Sequence, residues 1–141
     1  MLLWGTVNPD GESNAHTGVL LRQKDIEDIA GTSSLTGKPV KIEHSGEPVG
    51  HVVSAWQNGN RLDCLLRIDN NIGGLFAQNF VSSGRCKELS LGYTITMQHS
   101  DGCLRGGAKQ VHEVSIVKKG ARHECSIRGF AKDSGLAKDS G

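Results

Sequence analysis

The sequence lacks a surplus of charge of either sign. Sixteen Lys and Arg residues stand against fifteen Asp and Glu residues, which gives a net charge of +1 at pH 7. No basic surplus is present to bind the phosphates of a nucleic acid, and no acidic tail is present. The charge balance therefore argues against a nucleic acid as partner.

Long apolar runs are also missing. None approaches the ~20 consecutive apolar residues that cross a bilayer. The opening stretch, residues 1–6, is too short for the apolar core of a signal peptide. We therefore expect neither a secreted nor a membrane protein, and no membrane partner.

The sequence has no CxxC pair among its four cysteines, Cys64, Cys86, Cys103 and Cys125. Their spacing argues against a zinc knuckle or a thioredoxin-like motif. In a protein that is not secreted, reduced thiols are the default state. A zinc site that joins the histidines at 44 and 51 to the cysteines is an alternative, but its spacing fits no standard structural zinc site.

Proline is scarce and glycine is abundant, with 3 prolines and 19 glycines among 141 residues. Glycine usually makes up ~7% of a chain, and this surplus predicts many tight turns between short strands. The length suits one compact domain, which we assign to residues 1–130. Residues 131–141 repeat the sequence AKDSG and lack aromatic and strongly β-forming residues, so we expect a flexible tail.

Alternation of apolar and polar residues predicts a mainly β fold. The pattern is clearest over 61–68, where every second residue is apolar. The predicted strands cover residues 1–8, 17–21, 38–44, 49–56, 61–68, 88–97, 110–118 and 124–130. Apolar residues at helical spacing predict helices over 23–30 and 69–83, and the predicted turns are 45–48, 58–60 and 100–107. We expect a six- or seven-stranded barrel or curled antiparallel sheet with two or three flanking helices.

Three points of this pattern could carry chemistry. His44 ends one predicted strand, Ser90 lies on another beside the small Gly92, and His112 and Glu113 are neighbours on a third. A serine hydroxyl becomes a good nucleophile when a nearby base, usually histidine, takes its proton. A third group must then orient the imidazole. Taken singly, each of these residues is more often structural or solvated than catalytic.

Around these residues the sequence resembles the herpesvirus maturational proteases (assemblins). Residues 42–52, IEHSGEPVGHV, are similar to their first catalytic-histidine region. Leu-Ser-Leu at 89–91 matches their nucleophile motif, and residues 114–122 resemble their third conserved region.

The related phage prohead proteases match at least as well. Their pattern corresponds here to His44 followed by PVG at 48–50, to ELSLGY at 88–93 and to EVSIV at 113–117. Any one of these motifs is weak evidence, but three in the order of the family are fairly specific. The resemblance implies that Ser90 is the nucleophile and His44 its general base and acid.

The third catalytic residue has two candidates. Assemblins use a second histidine, which points to His112, whereas phage relatives have a carboxylate that aligns with Glu113. Neighbouring strand residues point to opposite faces, so only one of the two can reach His44. We favour Glu113, because it shares a face with the polar Ser115, whereas His112 shares one with the apolar Val114.

The resemblance also implies an oxyanion site and a biological role. The backbone N–H of Ala121 and the side chain of Arg122 would stabilise the oxyanion, with alanine standing where assemblins have an arginine. The expected function is a serine endopeptidase that needs no metal or cofactor. It would cleave scaffold and capsid proteins, and itself, within an assembling procapsid in an infected host cell. No counterpart of the assemblin dimer helices follows Phe130, which leaves monomer and homodimer open. The alternative function is a non-enzymatic β-barrel scaffold or capsid-associated module.

Overall fold

The computed structural model describes residues 1–9, 23–100, 103–119 and 125–133, with the side chains of all of these except 9, 95–100 and 103–108. Its elements in chain order are β1 (Leu2–Pro9), α1 (Gln23–Gly31), β2 (Pro39–Ile42), β3 (Ser45–Asn58), β4 (Arg61–Ile68), α2 (Ile72–Ser82), β5 (Glu88–Ser100), β6 (Cys103–Val117) and β7 (Ile127–Ala131). In the described ranges, no helix is long and apolar enough to cross a membrane.

The strands form one sheet in the order β5-β6-β2-β3-β4-β1-β7. The sheet curls into a half-barrel, and its two ends approach each other, because Glu88 of β5 pairs with Ser126 just before β7. The predicted fold class is confirmed, with one difference in strand direction. β2 and β6 are parallel neighbours, since they come from two different hairpins, β2–β3 and β5–β6, that meet side by side.

The core of the sheet follows the alternation of the sequence. In β4, Leu62, Leu66 and Ile68 are completely buried. Asp63 points to the other face and is nevertheless buried, because the Thr6 hydroxyl donates a hydrogen bond to Oδ1 at 2.7 Å and the Asn58 amide donates one to Oδ2 at 2.9 Å. These bonds offset the loss of hydration that burying a carboxylate entails.

Helix α2 packs on the sheet through small residues. Gly74, Ala77 and Val81 are buried, whereas the large apolar residues Ile72 and Phe76 are 78% and 62% exposed. A Cβ atom at position 74 would lie 2.0 Å from the carbonyl oxygen of Asp69. A side chain at Gly74 would therefore collide with the backbone just before the helix, and Ile72 and Phe76 remain on the exposed side.

The predicted break between β5 and β6 is wrong. The predicted turn at 100–107 is mostly strand, because β5 continues to Ser100 and β6 begins at Cys103. Glycines at 106 and 107 suggested a turn, but a register shift in the β5–β6 ladder accommodates this stretch as paired strand. The predicted strand 17–21 lies outside the described residues.

Residues 131–133, the first three of the predicted tail, belong to the described part of the chain. Asp133 pairs with Arg67 at 2.7 Å and accepts a hydrogen bond from Asn70 at 3.0 Å. The remainder of the predicted repeat tail, residues 134–141, lies outside the described residues.

Candidate active site

Ser90 is placed by the alternation of β5. Its neighbours Leu89 and Leu91 are buried in the core, and Ser90 points to the opposite face of the strand. It lies directly opposite Ser115 of the antiparallel strand β6. Two paired strands therefore determine the position of the hydroxyl.

His44 lies in a two-residue turn rather than at the end of a strand as predicted. Ile42 of β2 pairs with Ser45 of β3, which leaves Glu43 and His44 as the loop. Their φ angles are 50° and 59°, as in the type I′ turns that suit tight hairpins. Residues other than glycine pay about 1–3 kcal/mol each for this backbone region and keep it only where the surroundings hold them.

Strand β6 holds this turn through two hydrogen bonds. The Glu43 N–H donates to the carbonyl of Ile116 at 3.1 Å. The His44 N–H donates to the hydroxyl of Ser115 at 2.9 Å. The turn is thus attached to the strand that also carries Glu113.

Ser90, His44 and Glu113 form a continuous hydrogen-bonded array. The Nε2 atom of His44 lies 2.9 Å from Ser90 Oγ, and its Nδ1 atom lies 2.5 Å from Glu113 Oε1. A carboxylate can only accept, so Nδ1 carries the hydrogen and the Nε2 lone pair accepts the Ser90 hydroxyl. The His44 side chain is 43% exposed and that of Glu113 is 11% exposed, so the array opens to solvent on the histidine side.

The neighbouring His112 lies apart from this array because of a β-bulge. The register shifts by one residue after the pair Gly92–Glu113, and His112 is the extra residue. It is exposed, and its Nε2 atom lies 2.9 Å from the Thr94 hydroxyl. The expectation that His112 shares a buried face with Val114 is therefore wrong, since a bulge interrupts the alternation on which it was based. Glu113 is the residue that contacts His44.

Two further residues shape the site. The completely buried Ser115 donates a hydrogen bond to Glu113 Oε2 at 2.6 Å. At Gly92, a Cβ atom would lie 2.1 Å from Glu113 Oε1, so only glycine lets the carboxylate lie against β5. Alternation placed Ser115 on the face of Glu113, but hydrogen-bond partners cannot be deduced from alternation.

The remaining predicted site residues are placed as follows. Ala121 and Arg122, the predicted oxyanion residues, lie outside the described residues. His51, part of the zinc alternative, is exposed on β3 opposite Arg67. In the part of the chain that the structure describes, no three His, Cys, Asp or Glu residues are grouped as a metal site would require.

Comparison with known proteins identifies the fold. No protein-family model and no curated protein matches the sequence. The protease of Kaposi's sarcoma-associated herpesvirus (KSHV) with a hexapeptide phosphonate inhibitor aligns at a TM-score of 0.63 and 14% identity, over 97% of this chain and 68% of that chain. The same protease with an allosteric inhibitor aligns at 0.58 and 15%, over 100% and 83%.

A third structure, KSHV protease with a dimer disruptor, aligns at a TM-score of 0.60 and 15% identity, over 98% of this chain and 80% of that chain. At these identities the likeness establishes the fold. The chain has the assemblin-like fold that its motifs predict, and the proteins that share it here are proteases.

Proposed function

We propose that this chain is a capsid-maturation serine endopeptidase, with Ser90 as nucleophile, His44 as general base and acid, and Glu113 as the third member. The observation that carries the proposal is the array Ser90 Oγ–His44 Nε2 and His44 Nδ1–Glu113 Oε1, with distances of 2.9 and 2.5 Å. The protease fold supports it independently.

The geometry suits acyl transfer in two halves. His44 Nε2 takes the proton of Ser90 as Oγ attacks the peptide carbonyl, and it returns that proton to the leaving amine when the C–N bond breaks. Water then attacks the acyl-enzyme ester and gives a proton to Nε2. Nε2 returns this proton to Ser90 Oγ as the ester C–O bond breaks, which releases the acid and restores the hydroxyl. Glu113 holds the ring with Nε2 towards Ser90 and stabilises the imidazolium.

The oxyanion role is carried over from the resemblance alone. In the proposal, the Ala121 N–H and the Arg122 side chain donate to the oxyanion of the tetrahedral intermediate. Removing one such donor typically costs about 10²–10³ in rate. Arg122→Ala should therefore impair turnover far more than binding.

The proposed substrates are scaffold and capsid proteins within an assembling procapsid of an infected cell, and the chain itself. Shared fold supports this assignment by analogy.

The dimer disruptor bound to KSHV protease makes a homodimer the corresponding proposal here. Light scattering across a dilution series should show an average mass that decreases from dimer towards monomer as the protein is diluted. A monomer mass at every concentration would contradict a dimer.

A fluorophosphonate probe tests the nucleophile without knowledge of the cleavage site. We expect one covalent adduct, mapped to Ser90 by mass spectrometry. Ser90→Ala and His44→Ala should abolish the adduct, because the first removes the nucleophile and the second its base. Ser82→Ala, which removes an exposed helical hydroxyl, is the matched control and should label like wild type.

The same experiment separates the enzyme from the non-enzymatic alternative. A folded wild-type protein that shows no adduct at Ser90 would contradict the protease and favour a scaffold or capsid-associated module that retains the fold. Equal labelling of wild type and Ser90→Ala would assign the reactivity to another residue.

A further inference from the structure

The buried hydroxyl of Ser115 contacts both His44 and Glu113, the two residues proposed to assist the nucleophile. Ser115 Oγ lies 2.6 Å from Glu113 Oε2 and 2.9 Å from the backbone nitrogen of His44. Ser115 has no exposed surface, so the two protein groups satisfy its hydroxyl in place of water.

The direction of these bonds follows from the groups involved. The Glu113 carboxylate only accepts, so it takes the single proton of Ser115, and the Ser115 oxygen then accepts the His44 N–H. The other carboxylate oxygen, Oε1, accepts the hydrogen of His44 Nδ1. The result is a closed loop in which His44 is held both at its backbone and at its ring.

The loop matters because the turn of His44 has an unfavourable backbone. Glu43 and His44 are both at positive φ without being glycine, a conformation that survives only where its surroundings impose it. Ser115 provides one of the two hydrogen bonds from β6 to this turn, and it also occupies the second oxygen of Glu113. Its loss would release the turn and the carboxylate together.

We propose that Ser115 is a positioning residue of the proposed protease. It orients the His44 ring towards Ser90 by binding both the backbone of the turn and the Glu113 carboxylate. This inference rests on the proposed function. Ser115 acts through His44 and Glu113 and takes no proton from the substrate.

Threonine and valine at this position form a matched pair, because they have the same shape and only threonine retains a hydroxyl. We expect Ser115→Val and the smaller Ser115→Ala to lower the maximal rate of Ser90 labelling by fluorophosphonate about 10- to 100-fold, the scale of a small misplacement of a reacting group. The probe concentration at half-maximal rate should not change. Ser115→Thr should restore most of the rate.

Thr6→Val is the control for loss of a buried hydroxyl as such. Thr6 also donates to a buried carboxylate, that of Asp63, at 2.7 Å, but on strands β1 and β4. Thr6→Val should lower the free energy of unfolding and leave the labelling rate of the folded protein unchanged. Wild-type labelling by folded Ser115→Val, or an equal loss in Thr6→Val, would overturn the proposal.

A spectroscopic readout keeps the inference testable if the protein proves inactive. The hydrogen between His44 Nδ1 and Glu113 should give a far-downfield proton resonance that Ser115→Thr and Thr6→Val retain and that Ser115→Val and Ser115→Ala shift or lose. If wild type gives no Ser90 adduct, the proposed function fails. Persistence of this resonance in Ser115→Ala would then separately refute the positioning role.

Discussion

At Gly92, the absence of a side chain gives the Glu113 carboxylate the space that it occupies. The ideal Cβ position lies 2.1 Å from Glu113 Oε1 and 2.9 Å from Glu113 Cγ, so any larger residue must displace the carboxylate. The small residue beside the nucleophile thus makes room for Glu113.

We expect Gly92→Ala to reduce the rate of Ser90 labelling about 10- to 100-fold, because the displaced carboxylate no longer holds His44 in line. The measurement is the fluorophosphonate rate, with the melting temperature recorded beside it. Gly31→Ala is the control, since nothing lies within 4 Å of a Cβ there. A wild-type rate in Gly92→Ala would contradict the role of Glu113 as well as that of Gly92.

The two adjacent candidates for the third member differ sharply in their contacts. Glu113→Gln keeps the shape of the side chain but offers an amide to Nδ1, so we expect the rate to fall by about 10⁴, as when a triad carboxylate is replaced by its amide. His112→Ala should remain close to wild type, because His112 contacts Thr94. The rate of Ser90 labelling in the two variants decides between the candidates. A large loss in His112→Ala with a normal rate in Glu113→Gln would make His112 the third catalytic residue.

Elements, rather than single residues, explain why the predicted turn at 45–48 is wrong. Gly46 and Pro48 suggested a break, but both lie in β3, in an irregular stretch between the pairs Ile42–Ser45 and Val40–Gly50. Gly46 has a φ of 76°. Pairing with β2 brings the reversal forward to Glu43 and His44, and it is this shift that carries His44 towards β6.

Helix α2 begins at a side-chain cap. Asn71 accepts a hydrogen bond from the Gly74 N–H at 2.8 Å. Asn71→Ala should lower the free energy of unfolding by about 1 kcal/mol, seen as a melting temperature lower by roughly 3–5 °C. Asn79→Ala, on the exposed surface of the same helix, is the control and should cost little. Equal melting temperatures for Asn71→Ala and wild type would show that packing alone determines this helix end.

The whole sheet acts as the environment of Cys64. Burial raises the pKa of its thiol, and the neighbouring Asp63 charge raises it further. A thiol has a pKa near 8.5 in the unfolded chain, so above about that pH the native state binds more protons than the unfolded state. The free energy of unfolding should then fall as pH rises, by at most about 1.4 kcal/mol per pH unit from this thiol.

Denaturant titrations between neutral and alkaline pH measure this effect. Burial also raises the pKa of the Cys86 thiol, so the informative quantity is the difference in slope between wild type and Cys64→Ala. We expect a shallower decline in the variant. Equal slopes of the free energy of unfolding against pH would mean that Cys64 ionises freely in the folded protein and that water enters the core of the half-barrel.

The sequence by itself determined the approximate positions of the seven described strands and of both helices. Side-chain direction in a strand depends only on local backbone geometry, so the pattern over 61–68 predicted β4 at its observed ends. The order of three short motifs indicated an assemblin-like fold, and the solved structures of KSHV protease confirm it. These features are local or carried by family resemblance, and neither requires knowledge of strand pairing.

Only the tertiary structure decided how the site is built. Ser90, His44 and Glu113 come from β5, a turn and β6, and their meeting depends on a parallel β2–β6 pair that no local pattern encodes. The bulge at His112 and the double contact of Ser115 likewise arise from register between strands far apart in the chain. Hydrogen-bond geometry is a property of paired elements, and alternation along one strand cannot specify it.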